Sequence, residues 1–237
     1  MVVGLVPKSP QFENKKRPLQ LQKFAKFARL KSVRMKLEIH PKAKALIFDL
    51  DGTLSDSLPV HIASWHAVCE KLNCTFDERI LVEMTGAPTI SFAERIKREQ
   101  NLEIDPEELV ELKQKEFRQN ISRIKPHDAV IELMKNAHGK IPMAVGTGAS
   151  RKSAMLQMKE LEIDHLFDFI VTADDVDRHK PEPDTFLKCA DLMNIEPEFC
   201  QVFEDGELGM QAAETAGMLL TDVRPFVTDP FAESEKR

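Results

Sequence analysis

Ala45-Leu46-Ile47-Phe48-Asp49-Leu50-Asp51-Gly52-Thr53-Leu54 opens on four apolar residues in a row and closes on two carboxylates and a glycine. A run this short, apolar without alternation and stopped by polar residues, reads as a strand buried on both faces of a parallel sheet. Asp49 and Asp51 stand two residues apart, so an extended backbone projects both the same way. In open α/β sheets ligands lie beyond the carboxyl ends of the strands. The two aspartates therefore fall where a site is expected.

Outward from this strand, similar apolar runs occur at Pro142–Val145, Phe169–Val171, Gln201–Phe203 and Met218–Thr221. Helical patterns at Ser150–Leu161, Pro183–Met193 and Glu207–Ala216 separate the last four of these five runs. Strands alternating with helices predict a parallel sheet covered on both faces. Between residues 58 and 125 the alternation stops, and only helices are expected: Pro59–Leu72, Asp77–Met84, Thr89–Gln100 and Pro106–Ile124. Asp105-Pro106-Glu107-Glu108 starts the last of them with a capping residue, a proline and first-turn acids. An all-helical cap over residues 58–125 is thus expected inside an α/β core made of residues 39–57 and 126–225.

The chain has 237 residues, 42% of them hydrophobic, and a formal net charge of −6. That suffices for a sizeable core. The charge is unevenly spread. Residues 1–34 carry nine cations and one acid, a balance of +8 that leaves −14 on the remainder. An acidic body argues against a nucleic-acid partner, and no apolar run approaches the roughly 18 residues of a membrane span. Residues 1–38 read as a basic extension outside the fold, whether a disordered tail, an organellar transit peptide, or sequence upstream of a true start at Met35. Residues 226–237 read as a C-terminal tail. Cys69, Cys74, Cys189 and Cys200 follow no zinc spacing and read as reduced thiols, in keeping with a cytoplasmic setting.

The chemistry is expected at four strand ends: Asp49 and Asp51; Thr147-Gly148; Lys180, in Arg178-His179-Lys180-Pro181; and Glu204-Asp205. Four acids do not converge without a cation, because like charges in one site oppose ionisation. Oxygen-only donors favour a hard ion such as Mg²⁺, which shares its shell with substrate phosphate. A threonine hydroxyl and backbone N–H groups ahead of a helix suit an anion, and Lys180 balances phosphate and carboxylate. Each element alone has a structural explanation as a cap, turn or solvated loop. Their order, each at a strand end, points to phosphoryl transfer.

With these four elements the sequence resembles the haloacid dehalogenase superfamily of aspartyl phosphotransferases over roughly residues 42–224. The cap directly after the first element, and His61-Ile62-Ala63-Ser64-Trp65 within it, resemble the subgroup of β-phosphoglucomutases and small sugar-phosphate phosphatases. Ala144–Gly148, Lys180-Pro-x-Pro-Asp184-Thr-Phe186 and the run from Gly209 to Met218 are similar to fructose-1-phosphate/6-phosphogluconate-type phosphatases. The resemblance implies a Rossmann-like, doubly wound sheet with an inserted helical cap. It implies that Asp49 is the nucleophile and Asp51 the general acid and base, while Thr147 and Lys180 hold the phosphoryl oxygens. It places Mg²⁺ on Asp49, the Asp51 carbonyl and Asp205, with Glu204 beside them. Substrate contacts would fall to Gly148, Ser57, His61, Trp65, Thr85, Gly86 and Thr89. Dehalogenation is disfavoured, because those relatives lack the second acid and the metal.

Between phosphatase and mutase, the cap decides. β-Phosphoglucomutases carry a Lys-Gly-x-x-Arg element there, whose cations grip a second phosphate. Here the stretch is Thr85-Gly86-Ala87-Pro88-Thr89, with threonine at both basic positions. A phosphatase acting on a small phosphorylated metabolite is expected, as a monomer. A phosphosugar mutase served by Arg95 or Arg98 is the alternative, and a non-catalytic binding module a more distant one. Two departures stand out: Gly206 where relatives have Ser or Asn, and His127-Asp128 at a hinge where Pro-Gly is frequent.

Overall fold

In a computed structural model of the chain, residues 36–227 are described. The basic segment and the last ten residues lie outside them, so the readings of the extension and of most of the tail concern residues beyond the description. From Leu37 onward the described residues form one compact unit.

Ala45–Phe48 is β1, with all four side chains buried. It is the centre of a five-stranded sheet because it pairs in parallel on both edges, with β4 (Met143–Gly146) and with β6 (Cys200–Glu204). β5 (Phe169–Val171) and β7 (Leu219–Asp222) complete the order β5-β4-β1-β6-β7. The pleat sorts β1 to opposite faces. Leu46 and Phe48 join the core under α5 (Asp128–Ala137) and α6 (Arg151–Glu160), and Ala45 and Ile47 join the core under α7 (Asp184–Met193) and α8 (Glu207–Thr215). Phe48 stacks on Phe203 at 4.7 Å between ring centres. Burying each such side chain contributes about 1.5–3 kcal/mol.

The cap consists of α1 (Leu58–Lys71), α2 (Arg79–Glu83), α3 (Thr89–Gln100) and α4 (Pro106–Gln119), packed around Trp65, Phe76, Ile96 and Leu109. The helix expected over Pro106–Ile124 ends at Gln119, and a 3₁₀ turn at Ile121–Arg123 follows. The two crossings between cap and core pair as a short antiparallel ribbon, β2 (Ser55–Asp56) with β3 (Lys125–Pro126). Neither β2, β3 nor α5 was anticipated from sequence. Two-residue polar strands carry no periodic signal, whereas α5 is an amphipathic helix with Val130, Ile131 and Met134 buried. No helix among the described residues is long and apolar enough to cross a membrane.

Candidate active site

Since β1, β4 and β6 run in parallel, their carboxyl ends bring Asp49, Thr147 and Glu204-Asp205 together. The Asp49 amide itself donates to the carbonyl of Phe203, at 3.0 Å. Lys180 arrives from the connection between β5 and α7. Its Nζ is buried and donates to Asp49 Oδ1 at 2.7 Å and to Glu204 Oε2 at 2.8 Å. The other Glu204 oxygen accepts from the amides of Asp205 and Gly206, at 3.1 and 2.9 Å. Both oxygens of Glu204 are therefore engaged within the protein, and its present bonds hold Lys180 and the loop after β6.

Asp49, Glu204 and Asp205 each place a carboxylate oxygen within 4.8 Å of the others. Burial, aided by the neighbouring Glu204 charge, pushes Asp49 well above the ordinary carboxylate range, even with Lys180 attached. Burial and Glu204 likewise push Asp205 up to about 8, against the Thr53 hydroxyl that donates to it at 2.8 Å. Lys180 bonds two of the three carboxylates, Asp49 and Glu204, and leaves Asp205 to the Thr53 hydroxyl. Like charges this close oppose ionisation unless a further cation joins them, and hard oxygen donors of this kind fit Mg²⁺.

Asp51 sits in a different environment. Burial opposes its charge, but His61 Nε2 at 2.9 Å and Ser57 Oγ at 2.5 Å more than offset this and hold its carboxyl far below the usual range. Behind His61, Lys113 Nζ lies 2.6 Å from Nδ1. Burial and the Lys113 charge lower the His61 pKa, favouring the neutral ring. Lys113 as donor to Nδ1 then leaves Nε2–H to donate to Asp51. Burial lowers Lys113 itself to about 7. The series Lys113–His61–Asp51 thus runs from the cap into the core. Gln157, fully buried on α6, accepts from Ser55 through its carbonyl and also favours the charged form of Asp51.

The Thr147 hydroxyl oxygen accepts from the Ala149 amide at 3.1 Å, leaving its hydrogen to donate elsewhere. Thr147 and Gly148 line a cavity together with Asp49, Asp51, His61, Trp65, Thr85, Gly86 and Thr89. Ser57 lies outside that lining, fully buried, and its hydroxyl serves Asp51. Lys180, Glu204 and Asp205 lie outside it as well. The cavity measures about 60 Å³, far below the roughly 300–1,000 Å³ of ordinary ligand sites. The cap is therefore closed down on the core in this structure. Gly148 allows the closure, because a Cβ there would overlap the Gly86 carbonyl oxygen of the cap. Gly206 plays a similar part: a Cβ would stand 2.9 Å from both the Thr85 carbonyl oxygen and its Cγ2. The departure at Gly206 thus accommodates the cap loop.

Arg95, the cation considered for a second phosphate, pairs with Glu83 and Glu99 within the cap. Neither it nor Arg98 lines the cavity. Lys113 does, and the sequence reading missed it. Its signal was present: Leu109, Lys113 and Phe117 recur every four residues on one helical face, and all three are buried.

Fold and site together define the class. Residues 46–223 match the haloacid dehalogenase-like hydrolases, and the chain belongs to that family. Among its relatives, fructose-1-phosphate phosphatase YqaB of Escherichia coli (strain K12) is 37% identical over 186 residues, 78% of this chain and 99% of that one. The β-phosphoglucomutase of Bacillus subtilis (strain 168) is 28% identical over 200 residues, 76% of this chain and 83% of that one. In fold, the crystal structure of β-phosphoglucomutase from Clostridium difficile superposes with a TM-score of 0.68 at 24% identity, covering 76% of this chain and 84% of that one.

Proposed function

We propose that this chain is a Mg²⁺-dependent phosphatase that hydrolyses small phosphorylated sugars through an aspartyl phosphate on Asp49. The observation that carries the reading is the gathering of Asp49, Asp51 and Thr147 under the cap, with Lys180 bonded to Asp49 behind them. Among the described residues the lining's Lys or Arg is Lys113, which is engaged with His61. The relationship to a fructose-1-phosphate phosphatase supports the same activity. A mutase must hold a second phosphate while its intermediate reorients, and the absence of a free Lys or Arg in the lining among the described residues disfavours it.

Asp49 and Asp205, with the backbone carbonyl of Asp51, would hold Mg²⁺, and Glu204 would brace them. When bound, the ion supplies positive charge that lets an anionic phosphate approach Asp49. Lys180 stays charged through its two carboxylate bonds and directs Asp49 Oδ1. Thr147 donates its free hydroxyl hydrogen to a phosphoryl oxygen. Asp49 attacks phosphorus, the bond to the sugar oxygen breaks, and Asp51 delivers the proton to that oxygen. Substrate charge beside Asp51 raises its affinity for this proton, and the His61–Lys113 series is bonded to it as a source. Once ionised, Asp51 takes a proton from water, which displaces the phosphoryl group from Asp49. A cytoplasmic setting agrees with the four free thiols.

The test is a phosphate-release screen over sugar phosphates, run beside a coupled assay for β-glucose 1-phosphate to glucose 6-phosphate. Mg²⁺-dependent release of phosphate is expected. Isomerisation without net release would replace this reading with a mutase.

A further inference from the structure

The seam between cap and core carries polar groups that the phosphate chemistry leaves unused. Ser153, in the first turn of α6, donates to Gln114 Oε1 on α4 at 2.7 Å, and Gln114 Nε2 reaches Thr89 Oγ1 at 3.4 Å. All three line the cavity. The second contact lies beyond the usual range of a hydrogen bond, so the amide nitrogen of Gln114 is weakly held. Trp65 and Phe92 add apolar surface to the same lining.

An amide and two hydroxyls each donate and accept. A substrate hydroxyl does both as well and satisfies such groups in either direction. A phosphate or carboxylate only accepts, and would set its charge against the Gln114 carbonyl with no free Lys or Arg among the described lining residues to offset it. We propose that Gln114 and Ser153 read the hydroxyls of the substrate's carbon body, selecting monophosphates with an uncharged polyhydroxylated body over bisphosphates and phosphorylated acids. One group belongs to the cap and the other to the core, so a hydroxyl bound by both also favours closure. This inference rests on the phosphatase reading and adds the residues that choose among its substrates.

Wild type, Gln114→Leu, Ser153→Ala and Gln114→Arg proteins are compared for phosphate release from fructose 1-phosphate, fructose 1,6-bisphosphate and p-nitrophenyl phosphate. In the first two variants, the kcat/KM ratio of fructose 1-phosphate to p-nitrophenyl phosphate is expected to fall about tenfold, the scale of one lost hydrogen bond. Gln114→Arg is expected to raise the ratio of bisphosphate to monophosphate by a similar factor. Unchanged ratios would overturn the inference. So would equal losses on fructose 1-phosphate and p-nitrophenyl phosphate, the mark of a seam that only holds the cap shut. If wild type releases phosphate from none of the three esters, the phosphatase reading itself fails.

Discussion

The base and the roof of the cavity are built on opposite principles. At the base, Asp49 and Asp51 line the cavity, and behind Asp49 the end of β6 and the Lys180 loop gather Glu204, Asp205 and one lysine. The roof offers Thr85, Thr89, Gln114, Trp65 and Phe92, all uncharged, and its cation Lys113 is turned onto His61. The contrast separates two tasks. On the proposed function, the base would handle a phosphoryl group by charge, and the roof would sort what is attached to it by shape and hydrogen bonding.

The largest effect should come from the base. Asp49→Asn is expected to lower kcat on p-nitrophenyl phosphate at least about 10⁴-fold, the scale of losing a nucleophile; robust turnover would remove Asp49 from that role. Lys180→Met leaves two buried carboxylates without their partner and should destabilise the fold by about 3–5 kcal/mol, read by urea unfolding without metal. A neutral effect would mean that the charge cluster relaxes freely.

Gly148→Ala probes the meeting of base and roof. Its methyl group displaces Gly86, so kcat/KM should fall about 10–100-fold, through misplacement of the closed cap, with little change in melting temperature. Full activity would show that catalysis does not need this closure.

Lys113 is read through the pH dependence of stability rather than through turnover. Its pKa in the fold is lowered to about 7 by burial, against about 10.4 in an unfolded chain. Between these values the unfolded state binds more protons, so this group makes stability rise with pH from about 7 to about 10. Lys113→Met should flatten that rise in unfolding measurements at pH 7, 8 and 9.5. An identical slope in the variant would show that Lys113 titrates normally in the fold.

The base was more legible in the sequence than the roof. Asp49, Thr147 and Glu204-Asp205 follow apolar strand runs directly, so reading the strands also located the residues, and parallel pairing brought them together. The cap residues come from helices and loops whose inner face depends on packing. Ser57 illustrates the limit, since its position next to Asp51 follows from the turn into β2, a strand too short to carry a pattern. Lys113 was hidden because a lysine on a surface helix ordinarily faces water, and only its place between Leu109 and Phe117 marks it as buried. Gln114 and Ser153 lie 39 positions apart in the sequence, and nothing local couples them.

The central claim, that the phosphoryl group passes through Asp49 before reaching water, is tested most directly by stereochemistry at phosphorus. A chiral thiophosphate ester hydrolysed by the enzyme in isotopically labelled water reports the number of in-line displacements. Two displacements, by Asp49 and then by water, predict retention of configuration. Inversion would mean a single direct attack by water, and would contradict the account.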